Sequence, residues 1–528
     1  MRLREALSVL SKSSPYAVST ERDNGISHAL DAVKDYLYVQ TDIEIDFRSE
    51  LTKLSPSDKK IIFLCGSSGD GKSEILTRYS RDFSNRADFH LDATHSFRPD
   101  ATAIQTLDEL FLQFESESRP LVVGINTGML GNYAEEGSVD VIKQSIKSFL
   151  NNEPVASNHI FLDFEQYPKF ILEESGHTSK FAKMLLKRIT ATEDNIIRQI
   201  FDKEKQNDTC DTQLCANYDL LSIEEVQDVI IDVLFKARLM KDQFLTARAL
   251  LDFIFHLVAG PAYLFDNLFS GADNELASKV IEFDPANIRT KNLDKFILSQ
   301  SLQLKDSEFE TYLQHLNNIG INKVLEPQSY LRLFYLIRKA DLANNYHTYF
   351  IEDFKEQLID TYSNIWHLHA DYNGSTEQKA TIRKFYREVA LAAIHKYNNR
   401  NAPELDKNAF LVSEHNGFQL AAEIEIKADL KEIRIDNEKQ STHFNAYFKI
   451  GEKTKKLQIN INLLGLMQRI VEGYRPNKHD KNTVVLLDEL VEEITEIANT
   501  TNTLLIVKGS QRIKINNIDD EEFEVSGI

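Results

Sequence analysis

The run Gly66-Ser67-Ser68-Gly69-Asp70-Gly71-Lys72-Ser73 fits the pattern G-x-x-x-x-G-K-[ST] throughout, with an apolar run before it and helical spacing after it. Each residue type has a chemical use at its position. Glycines let the backbone turn tightly enough for successive N–H groups to aim at phosphate oxygens. The start of the following helix adds partial positive charge. At the end of the loop, the Lys72 ammonium reaches the β- and γ-phosphates and the Ser73 hydroxyl ligates Mg²⁺. The pattern predicts a site for a nucleoside triphosphate, read here as ATP, with magnesium.

Hydrolysis asks for more: a carboxylate at a strand end to hold the metal, and a polar group to orient the attacking water. Asp92 ends "FHLDAT", and Asn126 ends "PLVVGIN", where an amide suits a sensor of the γ-phosphate. Asp163 and Glu165 read as an acid pair on one face of the strand "HIFLDFE". Spacing assigns the metal carboxylate to the strand at 120–126, which carries none. Asp92 and Asn126 therefore lead, Asp92 sharing the metal with Ser73, and Asp163 and Glu165 stand behind them. Arg248 heads the apolar helix in "FLTARALLDFIFHLVAG", the place from which a helical lid returns an arginine to the nucleotide in AAA-type ATPases. Arg188 and Arg289 are further basic candidates.

These residues need elements to hold them. From 59 to about 175, apolar strands (61–65, 87–93, 120–126, 159–165) alternate with helical patterns such as "SEILTRYSRDF" and "TAIQTLDELFLQF". That alternation predicts an α/β core with a mostly parallel, doubly wound sheet of the AAA-like, ASCE type. The chain divides into an N-terminal helical segment (1–58), the P-loop NTPase core (59–190), a helical lid (191–265), a further helical region (266–400) and a C-terminal α+β domain (401–528). In "SIEEVQDVIIDVLFKARL", Ser222 and Glu225 offer a capping box, and Val226, Val229, Ile230, Val233 and Leu234 keep helical spacing.

Other constellations invite chemistry and are read more plainly. "VVLLDELVEE" at 484–493 imitates an apolar strand ending in acids, but Leu487, Leu490, Val491, Ile494 and Ile497 keep a helical period through it. Cys210-x4-Cys215 is half a zinc pattern without a second half. His367-x-His369 with Asp371 has metal-like spacing that a helix explains as well. Glu425, Lys427 and Asp406 faintly resemble a restriction-type nuclease core, in a stretch whose alternation suits any half-exposed strand.

Composition sets the outer limits. The 528 residues carry a formal charge of −20, which opposes indiscriminate adhesion to nucleic acid by the whole chain while leaving room for a local basic surface. Three cysteines argue for a reducing compartment and against a disulfide framework. The opening "MRLREALSVLSKSS" is unlike a signal peptide, and "LLDFIFHLVAGPAYLF" is too interrupted to span a bilayer. A cytoplasmic protein without a membrane segment is the expectation.

Beyond the P-loop, the runs "LSVLSKSSPYAVST", "CGSSGDGKSEIL", "HLDATHSF", "PLVVGINTGMLGNY", "FLDFEQYPKF" and "FLTARALLDF" resemble the DptF family. That family is the ATPase component of bacterial DNA phosphorothioation-dependent restriction systems. The resemblance covers roughly the first half of the chain. It implies a role in defence against DNA lacking the sulfur mark, with DptG-like and DptH-like subunits as partners and DNA reached through the complex. It places nucleotide binding on Gly66 to Ser73 and leaves self-association open. A non-hydrolysing nucleotide switch or scaffold is the alternative, motivated by the missing acid in the strand at 120–126.

Overall fold

The computed structural model describes residues 1–14, 29–94, 101–173, 176–241, 245–322, 324, 326–355, 357–406, 408–436, 438, 440, 442–498, 501, 503–509, 511–519 and 522–527. Parts of three runs that carry the family resemblance, residues 15–20, 95–97 and Phe244, lie outside them. The chain forms two compact units, one of Met1–Ile171, Thr178–Ala237 and Gln243–Lys355, the other of Leu172–His177, Arg238–Asp242 and Glu356–Ile528.

In the first unit, helices α1 (Leu3–Leu7), α2 (Ala29–Leu37) and α3 (Asp42–Lys53) precede strand β1 (Ile61–Gly66) and helix α4 (Lys72–Phe83). Then come β2 (Asp88–His90), α5 (Ala103–Ser116), β3 (Leu121–Asn126), α6 (Thr127–Glu136), α7 (Asp140–Leu150) and β4 (His159–Asp163). All strand pairings in this sheet are parallel, in the order β2-β3-β1-β4. The physical reason is visible in β1, whose six residues are all buried. Ile61, Phe63 and Cys65 join α5, α6 and α7 in one core, while Ile62 and Leu64 join α3 and α4 in another. A strand covered on both faces reads as a continuous apolar run, as this one does.

Close packing of α4 on the sheet depends on Gly124 in β3. A Cβ there would fall on Leu76 Cδ1 of α4 and stand 2.7 Å from the Leu91 carbonyl oxygen.

A short β5–β6 ribbon (Ile171–Glu173, Gly176–Thr178) leads into α8 (Lys180–Thr190), α9 (Ile196–Gln206), α10 (Thr212–Leu221), α11 (Glu224–Lys241) and α12 (Ala247–Ala259). The apolar stripe expected in α11 is buried, from Val226 to Leu234. The expected capping box is not formed. The Ser222 hydroxyl instead donates to the Tyr218 carbonyl of α10 at 2.8 Å, and α11 starts at Glu224. Cys210 and Cys215, expected as thiols, are joined as a disulfide with Cα atoms 6.2 Å apart, which takes them out of any metal reading.

The second unit begins before the α+β boundary at 401. Helices Gln357–Ala370, Thr376–Phe385 and Leu391–Asn398 belong with the C-terminal sheets, where Tyr362, His369 and Phe385 pack on Phe444, and Tyr386 on Phe448. Helical period alone cannot say which core a helix covers. Strands β7 (Ala409–His415), β8 (Phe418–Glu423), β9 (Ile426–Ala428), β10 (Phe444–Ile450), β11 (Lys453–Ile459), β12 (Thr503–Lys508), β13 (Gln511–Asp519) and β14 (Glu522–Gly527) form two antiparallel sheets, β11-β10-β9 and β14-β13-β12-β8-β7. The single strand expected in "FQLAAEIEIK" breaks at residues 424–425, so that β8 and β9 enter different sheets. As its spacing predicts, the stretch at 484–493 lies inside a helix, Lys481–Ala498. Among the described residues, no helix is long and apolar enough to cross a membrane.

Replacing Gly124 by Ala should cost about 1–3 kcal/mol, since the methyl meets backbone as well as a flexible side chain. Urea unfolding of parent and variant measures this. An unchanged midpoint would show that α4 does not depend on that close approach.

Candidate functional site

Parallel register assembles the site at the C-terminal end of β1. Asn126 of β3 stands opposite Gly66, and Asp163 of β4 stands opposite Cys65 on the other side. Ligands of open α/β sheets bind at this carboxyl edge. Between the two, residues 67–71 turn the chain from β1 into α4. Gly69 (φ +86°) and Gly71 (φ +106°) lie in the left-handed region that side chains avoid. At Gly69 space also matters, for a Cβ would approach Arg248 Cβ to 3.1 Å and Thr246 Oγ1 to 3.3 Å. At Gly71 a Cβ would meet nothing, so dihedral freedom alone explains the glycine.

Inside the loop, Asp70 ties two elements together. One carboxylate oxygen accepts the Ser67 N–H at 2.8 Å, and the other accepts Lys169 Nζ at 2.6 Å. Both side chains are largely buried, so this pair matters far more to the loop than a surface pair would. Lys72 folds back along the loop and donates to the carbonyls of Gly66 (2.9 Å) and Ser67 (2.7 Å). Burial pulls the Lys72 ammonium below its usual range, opposed by the negative charges of Asp70 and Asp92. An anion entering the loop would draw Lys72 off those carbonyls and regain for it a full ionic partner.

The other expected residues fall around this loop in different ways. Asn126 Oδ1 caps α6 by accepting the Met129 N–H at 2.7 Å. Asp92 lies just past β2, where the Ala93 N–H still donates to the Gly124 carbonyl at 2.9 Å. One Asp92 oxygen accepts from both the N–H and the hydroxyl of Thr94, at 2.9 and 2.6 Å. Asp163 and Glu165 do not share a strand face. Asp163 ends β4 by accepting the Glu165 N–H at 3.1 Å, and Glu165 sits exposed on the 3₁₀ turn Phe164–Gln166. Burial raises the Asp163 carboxyl above its ordinary value, the Glu165 N–H opposes this, and the negative charges of Glu165 and Asp70 add to the rise while Lys72 works against it.

Arg248 meets the loop through its backbone. Its N–H donates to the Gly69 carbonyl at 3.1 Å from the first turn of α12, whose start is capped by the Thr246 hydroxyl accepting the Ala249 N–H. Its side chain lines a cavity of about 190 Å³ beside the loop, together with Leu10, Tyr38, Val39, Ser73 and Leu185. Sequence reasoning missed the wall at residues 34–41. Lys34 bonds Glu74 of α4 at 2.7 Å, the Arg78 guanidinium lies 3.7 Å over the Tyr38 ring, and the Tyr38 hydroxyl donates to buried Glu44 at 2.7 Å. These contacts fix a ring and an aliphatic edge against the loop. No residue pattern announces them. Lys169 was likewise missed, since a lone lysine after "EQYP" carries no motif.

Remaining candidates stay apart. Arg188 lies over the Tyr36 ring and Arg289 pairs with Asp294. His367 and His369, two residues apart on one helix, face different sides: His367 approaches Asp371 and His369 bonds the Ile365 carbonyl. Glu425 and Lys427 form an exposed pair, while Asp406 bonds Arg512 elsewhere. Among the described residues, no three His, Cys, Asp or Glu are placed to hold a metal ion.

Asp163→Asn tests the electrostatics of the site. A raised carboxyl favours the folded protein while protonated, and that contribution is lost as pH rises through the folded value. Asn keeps the cap without the charge. The variant should therefore be more stable than the parent at pH 7, with the gap narrowing toward pH 4, as denaturant midpoints across that range would show. A less stable variant at pH 7 would mean that Lys72 outweighs desolvation.

No family model matches the chain, and no curated protein is similar to it. The functional reading rests on the loop and its surroundings.

Proposed function

We propose that the first unit binds ATP with Mg²⁺ and hydrolyses it, and that the chain is the nucleotide-driven subunit of a DNA phosphorothioation-dependent restriction complex in the cytoplasm. The observation that carries the nucleotide reading is the loop 66–73, strung between a doubly buried strand and α4, open to a cavity with an aromatic and aliphatic wall. Its amides and Lys72 suit a polyphosphate, and the cavity suits a base. The strand that carries Asn126 lies between the P-loop strand and the one preceding Asp92, the interposed strand expected of an ASCE-type sheet.

Magnesium fits the donors present, because it takes one or two protein oxygens with substrate phosphates and water completing the shell. Ser73 and Asp92 are those oxygens in this reading, and the metal would supply charge neutralisation between phosphates. Asn126, opposite Gly66, would meet the terminal phosphate in this reading once it releases the Met129 N–H. Asp163, on the other flank with its carboxyl raised by burial, stands behind them as a candidate for orienting water. Arg248 couples occupancy to α12 through Gly69.

A second reading, a switch that binds without turnover, is favoured by one observation. Asp92, Asn126 and Asp163, the candidates for holding metal and orienting water, each already accept hydrogen bonds within their own turns. The restriction role, with DptG-like and DptH-like partners, rests on the sequence resemblance alone.

Phosphate release and fluorescent-ATP binding, with and without DNA, separate these readings. Lys72→Ala should lose binding and turnover, by about 100-fold or more in rate. Asp92→Ala should keep binding while losing turnover, and Asp163→Ala should retain most of both. A Lys72→Ala protein as active as the parent would remove the enzyme reading. Tight binding without release in the parent would favour the switch.

A further inference from the structure

The second unit carries a cleft that the nucleotide reading does not use. Its walls are the last turn of helix Leu391–Asn398 with the segment after it, and the end of helix Ile461–Val471 with the turn that follows, and it encloses about 230 Å³. Lys396, Arg400 and Pro403 line one wall, and Tyr474, Arg475 and Pro476 line the other. In a chain of charge −20, residues 395–400 and 469–481 hold six Lys and Arg against two acids. One of those acids is consumed locally, for Asp480 accepts from Arg469 (3.2 Å), the Tyr474 hydroxyl (2.8 Å) and the Asn477 N–H (2.9 Å).

Two of the cleft cations are held by neutral groups. Lys396 donates to the Val471 carbonyl at 2.6 Å, and Arg400 donates to the Tyr397 carbonyl at 2.8 Å with its guanidinium 4.5 Å over the Tyr397 ring. Basic side chains commonly close helix C-termini in this way, and that role accounts for these two bonds. It does not account for Arg475, Lys478 and Lys481, all exposed and without a carboxylate partner among the described residues. Nor does it use the remaining donors of Lys396 and Arg400. Proline on each wall limits the backbone freedom lost when a ligand binds. Ile470, the two prolines and the Tyr397 and Tyr474 rings supply the apolar part of the lining, on which a sugar or a base can rest while the cations at its edge meet phosphate. Cations on both walls, with Lys478 and Lys481 following Arg475 in the chain, offer several contacts to a polyanion and not one to a single charge.

We propose that this cleft binds the phosphodiester backbone of a nucleic acid, independently of base sequence. The net charge of −20 opposes adhesion of a polyanion to the chain as a whole, so that binding would need a local basic surface of this kind. The proposal does not rest on the nucleotide reading, because the cleft shares no residue with the loop.

Anisotropy of a short labelled duplex and of its single strands, titrated with the full chain between about 50 and about 200 mM salt, tests it. Arg475→Glu with Lys478→Glu should weaken binding by about tenfold or more, and the neutral pair Arg475→Gln with Lys478→Gln should lower the salt slope by roughly 0.9 per contact. Lys291→Glu with Lys295→Glu, on an exposed helix of the first unit, should leave binding unchanged. Lys72→Ala should bind nucleic acid as the parent does, which keeps failure here distinct from failure of the ATP site. Preference for duplex or for single strand would each support the cleft and tell which form it takes. Absence of binding at the lowest salt, equal loss in the Lys291/Lys295 control, or equal affinity for polyglutamate would overturn it.

Discussion

Strand β1 has no exposed face, and this constraint governs everything that surrounds it. A chain leaving such a strand must cross to one side within a few residues, and here it does so through left-handed glycines at 69 and 71. The turn exposes backbone N–H groups at the carboxyl edge of the sheet just where α4 begins. Because β3 and β4 pair with β1 in parallel register, whatever ends those strands is delivered to the same edge. The site is a consequence of packing before it is a set of side chains.

Electrostatics around the loop follow from that burial. Lys72, Lys169, Asp70 and Asp163 are drawn into a poorly solvated region, where each unpaired charge would be costly. The loop resolves this internally, with Asp70 bridging Ser67 and Lys169 and with Lys72 bonded to carbonyls. An anionic ligand would exchange these contacts for its own, so that binding rearranges charge already present. Through the Gly69–Arg248 backbone bond, such an exchange reaches α12 directly.

The second unit shows the opposite balance. Arg475, Lys478 and Lys481 lie exposed after a helix end, where water lowers the cost of holding like charges together. A surface of this kind is invisible in a net charge of −20, because opposite charges elsewhere cancel it in the sum. The sheets beneath it are built from ordinary alternation, with Leu505 and Val507 turned to a core and their neighbours outward.

By itself, the amino-acid order determined the features that local chemistry controls. It marked the loop at 66–73, since no other residue types meet those dihedral and hydrogen-bonding demands together, and it marked the alternation of strand and helix through β4. It also separated the helix at 481–498 from a strand-end acid, because a period of 3.6 is a local property. What it could not determine was distance between segments remote in the chain. Only tertiary structure brought Tyr38 and Val39 to the loop, set Lys169 against Asp70, turned Glu165 away from Asp163 and joined residues 357–398 to the C-terminal sheets. Such contacts are fixed by which apolar faces cover one another, a choice made by the whole core and written in no single stretch of it.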